Sequence, residues 1–293
     1  MSTPDPLVIE VALNGVSSKQ SNPHVPIGVD EIVADARACI GAGATIVHQH
    51  DDFAAFAEPG AAGMAALSAA TYRPLLTEFP GLLCYPTADF LAGPDDVANW
   101  GHHELLAAEG LIRLALLDPG SVTFGGVDAD GLPAGGVVYG STYAEIAHVV
   151  ERCTALRLGP SIAIYEPGWL RVVLAYARAG RLPPGAFVKL YFGGDRMPFG
   201  LPPSRWSLGV YLEMLDGVDL PWAVACLGGD VVATGLAEAA ILAGGHVRVG
   251  LEDFAGDRTP TNAELVTQVV DLADRLGRPL ADRAGAAEVL RLP

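Results

Sequence analysis

The feature that most constrains this chain is an eightfold alternation of short, β-branched, apolar runs with longer helical ones. The first run, Leu7–Asn14, stops at Gly15. A helical pattern follows, opening at Val29 with an acidic first turn (Asp30, Glu31) that suits a helix N-terminus, and ending at Ala42-Gly43. The next pairs are Ala44–His50 with Gly63–Glu78, Leu82–Thr87 with Asp95–Glu109, and Leu111–Leu117 with Tyr143–Leu156. Ser161–Glu166 then pairs with Leu170–Ala179, Ala186–Phe192 with Ser204–Leu215, and Trp222–Leu227 with Thr234–Ala243. His246–Leu251 pairs with Thr261–Leu276, and a short helix at Arg283–Leu290 ends the chain. Eight strand-then-helix units in series predict an α/β fold, a (β/α)8 TIM barrel. An open doubly wound sheet is the alternative, but no Gly-X-Gly-X-X-Gly follows the first strand. No linker, charge run or low-complexity stretch divides the 293 residues, so one barrel domain over 1–293 is expected. The longest irregular stretch, Asp118–Gly140, is Gly-rich and has the length of a functional loop.

Composition removes several function classes. With 51% hydrophobic and 18% charged residues, the chain can build a large core and is not disordered. No apolar run has the length of a membrane span, and Met1–Pro6 is a polar lead without a signal-peptide core, so a cytoplasmic protein without a membrane partner is expected. A net charge of −16 argues against nucleic acid as a partner. An anionic substrate would then have to be met by a metal or a placed arginine. Cys39, Cys84, Cys153 and Cys226 are widely spaced with no Cys-X-X-Cys, which reads as buried free thiols.

In such barrels chemistry sits at the C-terminal ends of the strands. Those ends carry Asn14, His48, His50, Thr87, Asp89, Asp118, Glu166, Glu252 and Asp253. Along an extended strand His48 and His50 point to one face, about 6.5–7 Å apart, and two imidazoles so placed can converge on one cation. A pair of strand-end histidines bonded to neighbouring carboxylates is the other reading of the same pattern. Barrel closure sets the eighth strand beside the first, about 10 Å from the second. Glu252 would then complete a His₂Glu metal set with a position open for substrate. Asp253, one residue on, would be left as a base. Arg248 shares the Glu252 face; it would bind a carboxylate, orient Asp253 by a fork-like pair, or serve as an interior charge neutralised by acids.

Other residues have plainer expectations. Lys189 sits where some barrel aldolases keep a Schiff-base lysine, but a lysine in the helix layer or snorkelling to the rim is expected. His102-His103 reads as surface and His24 as a solvated loop residue. Tyr191 and Trp222 read as wall aromatics. Glu166 reads as substrate-binding or salt-bridged. Asp51, Asp52 and Asp89 read as solvated rim acids or as selectors of a cationic group.

Gly244-Gly245-His246-Val247-Arg248-Val249-Gly250-Leu251-Glu252-Asp253 resembles the closing motif of the β-keto acid cleavage enzymes, the family of 3-keto-5-aminohexanoate cleavage enzyme. Ala12-Leu13-Asn14-Gly15 with Lys19 and Asn22-Pro23 resembles its opening, and Ala42-Gly43-Ala44 through His48-Gln49-His50 its metal-binding strand. Asp118-Pro119-Gly120-Ser121-Val122-Thr123-Phe124 and Phe199-Gly200-Leu201-Pro202-Pro203 resemble further segments, so the likeness spans nearly the whole chain. The resemblance implies a Zn²⁺-dependent acyltransferase that reacts a β-keto acid with acetyl-CoA to give acetoacetate and a new CoA thioester. It implies His48, His50 and Glu252 as zinc ligands, Asp253 as base and Arg248 as its helper. From their places at the strand ends, and not from the resemblance, Asn14, Thr87, Asp118 and Glu166 are expected on the substrate side. Arg196 and Arg205 are candidates for the CoA phosphates, and a homo-oligomer, a tetramer, is expected. Departures from the family lie after the third strand, where Tyr85-Pro86-Thr87-Ala88-Asp89 replaces a Ser-Thr-Gly-Gly-like turn. Others lie after the fourth, where Asp118 stands for Thr and Thr123 for Asn, and after the first, where Val16 and Ser17 stand in place of a glutamate some members carry. They leave a second function open, a metal-binding barrel that holds a small carboxylate without turnover. A metal-dependent hydrolase of the amidohydrolase type is a third. That class places His-X-His on the first strand and adds histidines after the fifth and sixth, which this chain lacks.

Overall fold

A computed structural model describes residues 5–52, 60–88 and 96–293, the side chains of 96–99 excepted; Asp89 lies outside the described residues. In chain order the elements are β1 (Ile9–Ala12), α1 (Val29–Ala42), β2 (Ile46–Gln49), α2 (Gly60–Glu78), β3 (Leu83–Pro86), α3 (Asp96–Ala108) and β4 (Leu114–Leu117). β5 (Ser121–Val127), β6 (Pro133–Gly140), α4 (Tyr143–Leu156), β7 (Gly159–Ile164), α5 (Pro167–Arg178), β8 (Phe187–Gly193) and α6 (Arg205–Leu215) follow. The chain closes with β9 (Trp222–Leu227), α7 (Leu236–Leu242), β10 (His246–Val249), α8 (Asn262–Arg275) and α9 (Arg283–Val289). Eight strands form one parallel sheet in the order β3-β2-β1-β10-β9-β8-β7-β4, and β3 and β4 meet at the seam. This is the expected (β/α)8 barrel, with the last strand beside the first: Glu10 lies opposite Arg248, and Ala12 opposite His48.

The strands read as unbroken apolar runs because both faces are covered. Alternate residues nevertheless serve two separate cores. Ile9, Val11, Val47, Cys84, Ala115, Val188 and Val224 pack against the helices, while Val8, Ile46, Leu83, Tyr85, Leu114, Leu116, Phe187 and Ala223 fill the barrel. Ala286 and Leu290, in and just after α9, join the interior cluster and close its floor. Helix starts are chemically marked: Thr142 with Glu145 and Thr261 with Glu264 form capping boxes on α4 and α8.

Several expectations need correction. Asp118–Gly140 is not irregular: most of it is the antiparallel hairpin β5–β6, turned by Asp128, whose Oδ1 accepts from the backbone N–H groups of Asp130 and Leu132 at 2.9 Å each. Its strands are largely exposed and interrupted by glycine, so no apolar period announces them. β7 stops at Ile164 rather than Glu166, because Pro167 at the first helical position starts α5 there. His102 and His103 are fully buried, not at the surface. The His102 Nε2 bonds to the Thr87 carbonyl at 2.7 Å, and His103 stacks on Trp100 with centroids 4.9 Å apart.

Candidate active site

His48 ends the inward face of β2, and His50 follows it beyond the strand. Asn14, at the neighbouring end of β1, fixes His50 from both sides. Its Oδ1 accepts from the His50 N–H at 2.9 Å, and its Nδ2 donates to the His50 carbonyl at 2.8 Å and the Pro26 carbonyl at 3.1 Å. The third partner arrives through a turn, not through continued strand. Gly250 has φ 151°, and a Cβ there would stand 2.0 Å from the Ala12 carbonyl oxygen, so only glycine lets β10 end this close to β1. From Gly250 the chain turns, with its carbonyl accepting from the N–H groups of Asp253 at 3.1 Å and Phe254 at 2.9 Å. An extended strand would send Glu252 and Asp253 to opposite faces; the turn brings both to Arg248.

Glu252 Oε2 lies 3.4 Å from His48 Nε2, and Oε1 lies 3.6 Å from His50 Nε2. One donor atom from each residue falls within 4.8 Å of the other two. Three observations fit a cation here. The His48 Nδ1 faces the Tyr85 carbonyl at 3.2 Å, so that nitrogen carries the proton and Nε2 keeps its lone pair. Burial drives the His48 pKa well below its usual value, against the pull of Glu252, which keeps the ring neutral as a ligand must be. Glu252 Oε2 is buried without a hydrogen-bond partner among the described residues. Burial would raise the Glu252 pKa, but Arg248 and the two histidines outweigh it and hold this carboxyl ionised.

Gly15 makes room for that carboxylate: a Cβ there would meet Glu252 Cγ at 2.3 Å, in a backbone of φ 54°. Gly15→Ala is therefore expected to push Glu252 off the histidines and weaken metal affinity about 10–100-fold. A competition titration with a chelator reads this directly, and an unchanged affinity would mean that Glu252 is not a ligand.

Arg248 is fully buried, and its N–H groups are all engaged. Nε donates to Asp253 Oδ2 at 2.9 Å, and Nη2 reaches Asp253 Oδ1 at 3.2 Å and Glu252 Oε1 at 2.6 Å. Nη1 donates to Glu10 Oε1 at 2.8 Å and meets the Tyr85 hydroxyl at 3.5 Å. The fork-like pair with Asp253 is present, and no donor remains for a substrate carboxylate. Burial raises the Asp253 pKa, Arg248 opposes this and Glu252 reinforces it; the net shift is upward. The carboxylate is thus a better proton acceptor than its arginine partner alone would allow.

Sequence reasoning missed the layer beneath. Lys189 is neither in the helix layer nor at the rim: it is buried inside the barrel with Glu10 and Tyr85. The available signal was two opposite charges, Glu10 and Lys189, at inward positions of otherwise apolar strands. Lys19 is elsewhere, on the surface with Glu31 at 2.7 Å.

The residues expected on the substrate side are distributed around the mouth. Asp118 Oδ2 accepts from the Tyr139 hydroxyl of β6 at 2.6 Å, Oδ1 has no hydrogen-bond partner among the described residues, and burial pushes the pKa up to about 6. Phe124 of β5 packs on Tyr165 and Phe199, with centroids at 4.8 and 5.5 Å, which ties the hairpin to the barrel beside Asp118. Thr87 is buried next to β3. Glu166 precedes α5 and accepts from the Gly200 N–H at 3.0 Å. Asp51 is neither a solvated rim acid nor open to a ligand: it is buried, with Ser68 Oγ at 2.5 Å and Gln49 Nε2 at 3.0 Å. Asp52 and His24 are exposed. Arg196 pairs with Asp257 at 3.3 Å and Arg205 with Glu238 at 2.9 Å, both on the surface.

The profile of the family described as beta-keto acid cleavage enzyme matches residues 6–292. The chain is 28% identical over 298 residues to a 3-oxoadipate:acetyl-CoA acetyltransferase of Cupriavidus necator, covering 98% of this chain and 95% of that protein. It is 26% identical to a 3-keto-5-aminohexanoate cleavage enzyme of Fusobacterium nucleatum, covering 98% of each. Among solved structures, apo ObcA superposes with a TM-score of 0.71 at 14% identity, over 92% of this chain and 66% of that one, a likeness of fold.

Proposed function

Because the chain belongs to the beta-keto acid cleavage enzyme family, we propose that it converts a β-keto acid and acetyl-CoA into acetoacetate and a new CoA thioester. The observation that carries this reading is the buried His48–His50–Glu252 group set directly against the Arg248–Asp253 pair at the mouth of the barrel. We take the metal to be zinc, since two imidazoles and a carboxylate with room for substrate are a catalytic zinc donor set. Bound there, it supplies Lewis-acid polarisation of the substrate oxygens. Asp253 takes the proton from the carbon between the keto and carboxylate groups, and Arg248 holds Asp253 with both oxygens fixed. The resulting carbanion attacks the acetyl-CoA carbonyl and expels CoA thiolate. The thiolate adds to the substrate's original keto carbon, and the bond from that carbon to the carboxylate-bearing carbon breaks. This releases the new thioester and acetoacetate, which regains the proton held by Asp253. Asn14 acts by holding His50, Asp118 offers its spare oxygen to the substrate, and Thr87 and Glu166 complete the substrate side. Four buried, free cysteines support a reducing cytoplasm as the location. Exposed Val137 and Val138 on β6 support a homo-oligomer, which we take as a tetramer. Among the described residues no helix is long and apolar enough to cross a membrane.

The test is an incubation of purified, metal-loaded protein with acetyl-CoA and a panel of β-keto acids bearing neutral, anionic and cationic side chains. Acetoacetate should form with at least one of them. None from any keto acid would favour a barrel that binds metal and ligand without turnover.

A further inference from the structure

Around the Nη1 edge of Arg248 lies a set of buried polar groups to which the reaction above gives no task. Glu10 on β1, Tyr85 on β3 and Lys189 on β8 are each at most 1% exposed. One oxygen, Glu10 Oε1, receives the Tyr85 hydroxyl at 2.5 Å, Arg248 Nη1 at 2.8 Å and Lys189 Nζ at 3.3 Å. Lys189 also donates to the Tyr85 hydroxyl at 2.5 Å. Tyr85 reaches the metal half of the site as well: its ring stacks on His48 with centroids 4.5 Å apart, and its carbonyl accepts from His48 Nδ1.

Stability does not account for this arrangement. Desolvating a lysine and a carboxylate seldom adds stability over apolar residues of the same volume. The floor below is filled by Val8, Ile46, Leu83 and Phe187, which shows what packing alone uses in this barrel. What the polar layer does provide is an anchor for the edge of Arg248 that faces away from Asp253.

We propose that Glu10, Tyr85 and Lys189 form a positioning unit for the reaction, in which Glu10 fixes the Arg248 guanidinium so that Nε and Nη2 meet Asp253 and Glu252. The inference rests on the function proposed above. Lys189 balances the Glu10 charge, so that Arg248 can serve three carboxylates without being drawn wholly to one. Tyr85 joins this anchor to His48, so both halves of the site share one support.

Two double variants, both without the buried charges, separate positioning from packing. Glu10→Gln/Lys189→Met keeps an acceptor oxygen for Arg248 Nη1; Glu10→Leu/Lys189→Met removes it. The first is expected to keep the Arg248 Nε–H resonance protected from exchange, assigned in ¹⁵N-arginine-labelled protein by its loss in Arg248→Lys, and to lower kcat no more than about tenfold. The second should bind metal at full stoichiometry yet lose that protection, with kcat down about 100-fold and KM within about threefold. Equal protection in the two variants overturns the proposal. The resonance decides this even if no keto acid turns over, so failure of the functional reading is told apart from failure of the positioning role. Should the leucine variant not fold, Tyr85→Phe replaces it: faster exchange of the same N–H supports the unit, and unchanged exchange overturns it.

Discussion

Asp253→Asn is expected to lower kcat by about 10²–10⁴-fold while the protein keeps its full complement of metal. The reasoning starts from Arg248. Both Asp253 oxygens accept from it, Nε at 2.9 Å and Nη2 at 3.2 Å. An asparagine has one acceptor oxygen, so its NH₂ must face one of those N–H groups and the fork opens. The change removes the proton acceptor and loosens its mounting together, while His48, His50 and Glu252 stay in place. Elemental analysis and steady-state kinetics on the same preparation check both halves. A rate within a few-fold of the parent would assign the base elsewhere, and Asp118 is then the next carboxylate to examine, since burial lifts its pKa to about 6 and one of its oxygens has no hydrogen-bond partner among the described residues.

His48→Ala has the other large effect: loss of the bound metal and, with it, of turnover. Of the three proposed ligands, His48 is the one most constrained by its surroundings. Its Nδ1 proton goes to the Tyr85 carbonyl, its ring lies against the Tyr85 ring, and its Nε2 is 3.4 Å from Glu252. Alanine leaves His50 and Glu252 as two ligands, which do not hold a divalent ion firmly. The metal content of the purified variant should fall from about one ion per chain to near zero, and the melting temperature should lose its response to added zinc. Stoichiometric metal in His48→Ala would remove this residue from the site.

The two predictions differ in how far their residues were readable in the chain. His48-Gln49-His50 at the end of an apolar run has the spacing of two imidazoles that can converge on one cation, and the same spacing equally fits a pair bonded to neighbouring carboxylates. Glu252 and Asp253 are visible as acids at the end of the eighth strand, and the order of strands in a closed barrel brings them to the histidines. Arg248 was readable as sharing the Glu252 face and as a fork for Asp253; that it meets both at once was not, since period two along a strand forbids it and only the turn at Gly250, against the Ala12 carbonyl, makes it possible. The hairpin β5–β6 was missed because its exposed strands need no apolar alternation. His102 and His103 were misjudged because adjacent histidines on a helix carry no local mark of burial: His102 meets the Thr87 carbonyl just after β3, and His103 stacks on Trp100 one turn back in α3.

The sequence by itself determined the barrel, because eight apolar runs separated by helices have few ways to cover both faces of every strand. It also placed His48, His50, Glu252 and Asp253 at strand ends that a closed barrel brings together, since local spacing and strand order depend on the chain's own periodicity. Only the tertiary structure decided the surroundings of Arg248. Glu10, Tyr85 and Lys189 come from three strands far apart in the chain; the charges of Glu10 and Lys189 stand out in apolar runs, but nothing local says that they meet each other or Tyr85. Their contacts depend on which inward positions share a level of the barrel, which is set by the register between strands once the sheet closes.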